Sequence, residues 1–124
     1  MISYKIEENN IVKVVFDGVI VYDDIARWLS EFSEIAELPT QIKLFYDMRA
    51  ASLRVDMVKL IQITKKTEEV TNKFQRVRTA FLIEESGLST YSMLLSFLDI
   101  KGKTSRKVFT KIEKALHWLL NGEA

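Results

Sequence analysis

The amino-acid sequence predicts a single α/β domain over residues 1–124, with a mixed, mainly parallel sheet of about five strands and about four helices. Three observations support this fold class. Two strand-like runs flank a polar turn, strand and helix patterns then alternate along the chain, and a capped helix follows the last strand-like run. This alternation favours right-handed crossovers between parallel strands that are covered by helices.

The chain opens with a predicted hairpin. Residues 2–7 and 11–16 form two apolar, β-branched runs, and the polar segment 8–10 between them is typical of a turn that joins antiparallel strands. A helix is expected next, because Asp23 and Asp24 offer an N-cap and favourable first-turn charge. Pro39 stops its propagation. Its apolar positions recur at helical spacing and are Ile25, Trp28, Leu29, Phe32, Ile35 and Ala36.

The middle of the chain repeats the strand and helix pattern. A third strand is predicted over residues 42–48, with Asp47 at its end, before a turn of polar and small residues that contains Ser52. A second helix is predicted over residues 56–70. Its predicted buried face consists of Met57, Leu60, Ile61 and Thr64.

A fourth strand is predicted over residues 77–84 and a third helix over 89–100. Gly102 suits a left-handed C-terminal cap for this helix, and the lysines on either side suit the negative end of its dipole. The apolar residues of the third helix at i, i+3, i+4 and i+7 are Tyr91, Leu94, Leu95 and Leu98.

The last predicted unit is a strand followed by a helix. Thr110 and Glu113 have the spacing of a capping box, in which each side chain bonds to the other residue's backbone N–H. The helix after this box is expected to cover the sheet. Its apolar stripe consists of Ile112, Ala115, Leu116 and Leu119.

Composition excludes several function classes. The formal net charge is +1 with 28% charged residues, so no overall bias recruits nucleic acid. The absence of cysteine removes disulfides and thiolate chemistry and is compatible with a reducing cytoplasm. No apolar run approaches the roughly 20 residues of a membrane span, and no secretory signal pattern precedes the first strand. We therefore expect a cytoplasmic protein.

Four features of the chain are the closing segment Val108-Phe109-Thr110-Lys111-Ile112-Glu113-Lys114-Ala115-Leu116-His117-Trp118-Leu119, the initial hairpin, Asp47 at the end of the third strand and the apolar helix at 91–98. In these features the chain resembles the SpoIIAA-like family, also called the STAS/Sec14-like family. The resemblance covers essentially the whole chain. It implies a STAS-type fold and a bacterial source. It also implies kinship with anti-sigma factor antagonists, in which a partner kinase phosphorylates a serine at the start of the helix after the third strand.

The resemblance does not carry that phosphorylation over to this chain. The corresponding segment, residues 47–56, lacks the Asp-Ser-Ser-Gly sequence of the antagonists, and Ser52 is its only hydroxyl residue. Ser52 is therefore retained only as a disfavoured phospho-acceptor.

The sequence contains no pattern that predicts an enzyme. His117 is the only histidine, and no carboxylate or nucleophile is placed with it, so a surface or packing role is the better interpretation. The acidic pairs at 7–8, 23–24, 68–69 and 84–85 fall at turns or element ends, where solvation or capping explains them. No glycine-rich phosphate loop or metal motif is present, and no cofactor is expected.

Two patterns point instead to binding. Basic residues cluster after the third helix and would suit the phosphates of lipid headgroups or an acidic partner, although a solvated loop and helix face is the favoured explanation. The second and third helices also carry more apolar residues than one buried stripe needs. Core packing is the simpler explanation of this excess, and a ligand groove, a homodimer face or a membrane-touching surface are the alternatives.

Our first hypothesis is a non-enzymatic module that binds a lipid-like or other hydrophobic ligand between helices 56–70 and 89–100 and contacts a membrane peripherally. The second is a protein–protein regulatory module of the anti-sigma factor antagonist type, with residues 49–56 as its contact surface. The candidate groove residues are Met57, Leu60, Ile61, Tyr91, Met93 and Phe97, and the candidate contacts to an anionic headgroup or partner are Lys101, Lys103, Arg106 and Lys107.

Overall fold

The computed structural model describes residues 1–87 and 104–121. Within these residues the chain forms five strands, three α-helices and a short 3-10 helix at Glu85–Gly87. The elements are β1 (Ile2–Ile6), β2 (Ile11–Ile20), α1 (Tyr22–Ser33), β3 (Gln41–Leu53), α2 (Met57–Thr71), β4 (Arg76–Leu82), β5 (Thr104–Phe109) and α3 (Ile112–Asn121). The helix predicted over residues 89–100 lies outside the described residues.

The five strands form one mixed sheet in the order β1-β2-β3-β4-β5. β1 and β2 form an antiparallel hairpin, whereas β2, β3, β4 and β5 are mutually parallel. The predicted α/β fold class with a mixed, mainly parallel sheet is therefore confirmed.

The sheet is longer than predicted at the ends of β2 and β3. Gly18 has a φ of +79°, a conformation that glycine adopts at little cost, and the register between β2 and β3 shifts between Val15 and Asp17. After this bulge the two strands continue to pair, so β3 runs to Leu53 and does not end at Asp47. Ser52 consequently lies in a strand opposite Val19, and the turn predicted around it is wrong.

Helices cover both faces of the sheet unequally. One core contains Trp28, Leu29 and Phe32 of α1, and Ile63 and Val70 of α2 pack against it. The other core contains Ala115, Trp118 and Leu119 of α3, packed on Ile11, Phe45, Ala80 and Leu82 of the sheet. The alternation of side chains along each strand supplies both cores, since successive residues point to opposite faces.

The helix starts follow the predicted chemistry with local shifts. The carboxylate of Asp56 accepts a hydrogen bond from the backbone N–H of Lys59 at 2.9 Å and caps α2. At α1 the Asp24 carboxylate accepts the N–H of Val21, which is itself the N-cap residue. The first helical bond of α3 joins the Ala115 N–H to the Lys111 carbonyl, so Lys111 is the N-cap and the capping box predicted at Thr110 is one residue too early.

No helix within the described residues combines the length and hydropathy that a membrane crossing requires.

Candidate functional site

A cavity lies between the sheet and the helices α1 and α2, within the described part of the chain. Its volume is about 120 Å³ and its walls are almost entirely apolar. Its floor comes from β2 to β5 and its roof from the two helices. The lining residues are Phe16, Ile25, Trp28, Leu29, Leu44, Tyr46, Met48, Leu53, Leu60, Ile63, Thr64, Thr67, Thr71, Val77, Thr79, Phe81, Thr104 and Arg106. We call this space the sheet–helix cavity.

The α2 wall of the cavity is less polar than its sequence suggests. Three threonines, Thr64, Thr67 and Thr71, follow one face of the helix, and their hydroxyls donate to the carbonyls of Leu60, Ile63 and Thr67 respectively, at 2.7–3.1 Å. These bonds satisfy the hydroxyl donors inside the helix. The wall therefore consists of short side chains that leave space beside them. Because their hydroxyl donors are already bonded, a ligand needs no polar group to contact this wall.

Tyr46 supplies a polar atom to the floor of the cavity. The indole Nε1 of Trp28 donates to the Tyr46 hydroxyl at 3.2 Å, and the Tyr46 ring packs against Phe16 and Phe81 with centroids 5.3 Å away in each case. Burial raises the pKa of Tyr46 above its usual value, and the Trp28 hydrogen bond and the positive charge of Arg106 only partly oppose this. The phenol is therefore neutral at physiological pH.

Arg106 brings a positive charge to the cavity. It pairs in register with Thr79, which also lines the cavity, whereas the next residue, Lys107, pairs with Ala80 of the α3 core. Neighbouring strand residues point to opposite faces of a sheet. Arg106 and Lys107, both predicted headgroup contacts, therefore lie on opposite faces. The Lys107 ammonium lies 5.7 Å from the centre of the Phe109 ring. Lys101 and Lys103 lie outside the described residues.

The groove residues predicted on α2 divide between two surfaces. Leu60 lines the sheet–helix cavity, whereas Met57 and Ile61 are 44% and 48% exposed and do not line it. The face of α2 that meets the cavity thus differs from the predicted buried face, because it includes Ile63 and Thr67 and excludes Met57 and Ile61. Tyr91, Met93 and Phe97 lie outside the described residues. The groove proposed between the two helices therefore stays a prediction.

The exposed side of α2 belongs to a second apolar surface. It lies where β2 and β3 end and α1 and α2 begin, and Ser52 is exposed in the same part of the sheet. The Arg54 N–H donates to the Ile20 carbonyl at 2.8 Å, and the Lys59 ammonium lies 4.7 Å from the centre of the Tyr22 ring, which ties these elements together. We call this surface the apolar end patch, and it consists of Val19, Val21, Met57, Val58 and Ile61.

Sequence reasoning missed most of the cavity. It assigned Trp28 and Leu29 to an amphipathic helix and the aromatic residues of β3 and β4 to strands, which is correct for the elements but gives no sign of a space between them. The threonines on α2 are one signal that could have indicated it. Their spacing of three and four residues places short polar side chains on the helix face that meets the core.

Polar groups elsewhere on the described chain have local partners. The Asp47 carboxylate is largely buried and accepts hydrogen bonds from the Arg49 guanidinium at 3.0 and 2.8 Å and from the Arg49 N–H at 3.2 Å. The hydrogen bond with Arg49 lowers the pKa of Asp47, and the charge of Lys13 acts in the same direction. His117 is exposed, and its Nδ1 lies 3.1 Å from the Asn121 amide nitrogen.

No group of three potential metal ligands occurs among residues 1–87 and 104–121. A second, more open groove lies between α3 and the β1–β2 hairpin. Lys5, Glu7, Glu8 and Lys13 stand on its walls, and their mixed charges are typical of a solvated cleft.

Comparison with solved structures defines the fold. An uncharacterised DUF3478 family protein with a SpoIIAA-like fold from Shewanella loihica PV-4 is similar to this chain with a TM-score of 0.62 and 14% identity, over 96% of this chain and 92% of that one. The anti-sigma factor antagonist SpoIIAA in its unphosphorylated form is similar with a TM-score of 0.55 and 9% identity, over 99% of this chain and all of that one.

The chain therefore has a SpoIIAA-like, or STAS, fold, as the resemblance of its closing segment predicted. No family model matches the sequence. No curated protein matches it either.

Proposed function

We propose that this protein is a non-enzymatic binding module that takes up a small hydrophobic molecule, or the apolar end of a lipid-like one, in the sheet–helix cavity. The observation that carries the proposal is an almost purely apolar space of about 120 Å³ beside the helices α1 and α2. Apolar cavities of about 150 Å³ stay free of water and accept benzene. The cavity volume thus suits about one aromatic ring or a short alkyl chain.

Because Arg106 lines the cavity, we expect the proposed ligand to have an anionic end. A guanidinium at the margin of an apolar space favours a carboxylate or phosphate, which it holds in a planar, two-pronged hydrogen bond. The Tyr46 hydroxyl, already accepting from Trp28, has a proton with which to donate to the same end. A small anionic amphiphile therefore fits better than a neutral hydrocarbon, and a lipid headgroup at a membrane surface would offer the same chemistry.

The proposal of a non-enzymatic role rests on the side chains around the cavity. Among residues 1–87 and 104–121, the lining has one phenol, one guanidinium and several threonines, with no histidine or carboxylate to act as a general base. The only histidine, His117, lies on α3.

The first test compares two substitutions at Thr67, a residue that lines the cavity. Thr67→Leu adds volume that fills the space, whereas Thr67→Val keeps the size and removes only the hydroxyl. We expect wild type and Thr67→Val to bind benzoate in a calorimetric titration, and Thr67→Leu to lose at least tenfold in affinity. Equal binding by both variants, or no binding by the wild type, would contradict the proposal.

A second test addresses the anionic end with a pair of ligands. Arg106→Gln removes the charge while keeping a similar length, and a charged hydrogen bond contributes about 1.5–3 kcal/mol. We expect benzoate affinity to fall about tenfold or more and benzene affinity to stay within about twofold, because only the carboxylate meets the guanidinium. A parallel loss of both ligands would assign Arg106 to the structure of the cavity wall. Native mass spectrometry of protein purified from cells would then identify the natural ligand.

The apolar end patch supports a second candidate, a protein–protein regulatory module. Its exposed residues reach 65% exposure at Val58, and the anti-sigma factor antagonist SpoIIAA shares the fold. Ser52 is exposed beside this patch, so it is accessible to a kinase. Phosphopeptide mapping of protein purified from cells tests this version: a Ser52 phosphopeptide that disappears in Ser52→Ala would favour it, and its absence would remove the phosphorylation switch.

A further inference from the structure

β1 is the edge strand of the sheet, and its outer side has no strand beside it among the described residues. The strand pairs only with β2, with Ile2 opposite Phe16 and Ile6 opposite Val12. Such an edge presents a row of backbone donors and acceptors to any strand that approaches.

The hydrogen bonds of the hairpin show which residues of β1 face outward. The Asp17 N–H donates to the Met1 carbonyl and the Glu7 N–H to the Ile11 carbonyl, each at 2.9 Å. In an antiparallel pair, residues bonded to the partner alternate with residues whose backbone groups point away. Odd-numbered residues therefore bond to β2, and Ile2, Tyr4 and Ile6 direct their N–H and C=O groups to the open edge.

The same three residues also share one side-chain face, the face that α1 covers. Tyr4 is 42% exposed and Ile6 is 44% exposed, although the Tyr4 ring packs against Trp28 of α1 at 5.2 Å. Ile2 packs against the α1 core. The open edge thus combines free backbone groups with exposed apolar side chains.

We propose that β1 pairs antiparallel with β1 of a second copy of this chain, about a two-fold axis that passes beside Tyr4 and perpendicular to the sheet. In this register Tyr4 lies opposite Tyr4 of the other copy, and Ile2 lies opposite Ile6 in both directions. All three outward-facing residues of each copy then exchange backbone hydrogen bonds. Their apolar side chains meet on one face, and such cross-strand pairs stabilise sheets.

Charge favours this register over its neighbours. With Tyr4 at the centre, Lys5 lies opposite Ser3 on the other face of the sheet, so no like charges meet. A shift that centres the pair on Lys5 would place two lysines directly opposite each other, which is destabilising. A shift that centres the pair on Ser3 would place Ile6 beyond the β1 strand of the other copy, which starts at Ile2. Self-complementarity of the β1 sequence therefore selects a second copy of the chain as the occupant of the edge.

The interface is small, because it consists of one pair of short strands. Interfaces at the low end of the size range belong to weak, concentration-dependent complexes. Sedimentation velocity from about 1 µM to about 1 mM covers the range in which such a complex dissociates. We expect the apparent mass of the wild type to rise toward twice that of the 14.4 kDa chain. A monomer at every concentration would overturn the proposal.

Substitutions at Ile6 identify the edge that pairs. Ile6→Pro removes an outward N–H without breaking a bond to β2, and proline is tolerated at such edge positions. Ile6→Val keeps the N–H and the β-branched side chain. We expect Ile6→Val to associate as the wild type does and Ile6→Pro, with an unchanged circular dichroism spectrum, to stay monomeric. Equal association by both folded variants would overturn the proposal.

Cross-linking tests the same register without relying on proline. The chain has no cysteine, so Tyr4→Cys introduces a single thiol that would face its own copy with Cα atoms about 5.5 Å apart. We expect a short bis-maleimide to convert this variant to a covalent dimer at least tenfold faster than Lys114→Cys, which places a thiol on the exposed side of α3. Equal rates would contradict pairing at Tyr4.

Discussion

The two faces of the sheet are covered by helices of similar amphipathic design, yet they pack differently. On the α3 face, Ala115 and Leu119 are fully buried against Ala80 and Leu82, and the open groove of this face lies to one side of them, at the β1–β2 hairpin. On the α1–α2 face, a space of about 120 Å³ separates the helices from the aromatic residues of the sheet. Under the proposed function, the ligand site lies on the second face.

The cause of this difference lies in the residues that each helix turns toward the sheet. α3 presents a small residue, Ala115, between large ones, which lets the helix approach closely. The inner face of α2 instead carries three threonines whose hydroxyls bond back to the helix. These short side chains do not reach the sheet and therefore leave a space. Their hydroxyl groups are hydrogen-bonded within α2, so the space stays apolar.

The largest expected effect comes from making the same Leu→Ala substitution on each face of the sheet. Leu119→Ala removes a fully buried side chain from the α3 core and should cost about 3–5 kcal/mol of unfolding free energy. Leu60→Ala, at the wall of an existing cavity, should cost about 2 kcal/mol, because part of its surroundings is already empty. Urea denaturation of both variants measures the difference. Equal losses would mean that the two faces are packed alike.

A smaller effect is expected at the polar pair on the α3 face of β3. Arg49→Gln leaves the largely buried Asp47 carboxylate without its charged donor and should cost about 1–3 kcal/mol at pH 7. Arg49 lowers the pKa of Asp47, so its stabilisation is complete above the usual aspartate pKa and is lost as the pH falls through the lowered one. Wild type and variant should therefore converge in thermal unfolding once the pH lies below this lowered pKa. A constant difference down to that pH would exclude the ion pair as the cause.

Filling the cavity should produce a gain in stability. Thr67→Leu adds apolar atoms to the empty space and should raise the unfolding free energy by about 0.5–1.5 kcal/mol in the ligand-free protein. Thr67→Val adds no volume and serves as the control in the same urea titration. A loss of stability in Thr67→Leu would show that the walls cannot accommodate even this increase.

The smallest effect is expected on the apolar end patch. Val58→Ser changes a side chain that is 65% exposed, so the unfolding free energy should change by less than about 0.5 kcal/mol. Benzoate affinity should also remain unchanged, since Val58 does not line the cavity. A large loss of either would show that this surface supports the cavity and is not an independent patch.

Sequence periodicity predicted the element order and the sheet class because each element has its own local pattern. It failed where distant residues decide the structure. β3 continues to Leu53 because a bulge and Gly18 let β2 continue beside it, and the isolated segment 49–53 reads as a turn. Likewise, Thr110 and Glu113 match a capping box, but the strand ahead of them sets the helix start one residue later.

The candidate site was less predictable than the fold. Leu60 and Arg106 were selected from sequence as binding residues, and both line the cavity. Trp28 was interpreted only as an apolar helix position, and Tyr46 and Phe81 only fell within predicted strands, since an apolar residue beside a cavity and one in a packed core have the same pattern. A cavity depends on the distance between elements, which no local periodicity encodes.

The two tryptophans offer the most direct measurement, because Trp28 lines the cavity and Trp118 lies in the α3 core. Benzoate is titrated into Trp118→Phe, which keeps only Trp28, and into Trp28→Phe, which keeps only Trp118. We expect a saturable change of tryptophan fluorescence in the first protein and no change in the second, with benzoate binding to both measured by calorimetry. A fluorescence change confined to Trp118, or binding without any response from Trp28, would contradict a ligand in the sheet–helix cavity.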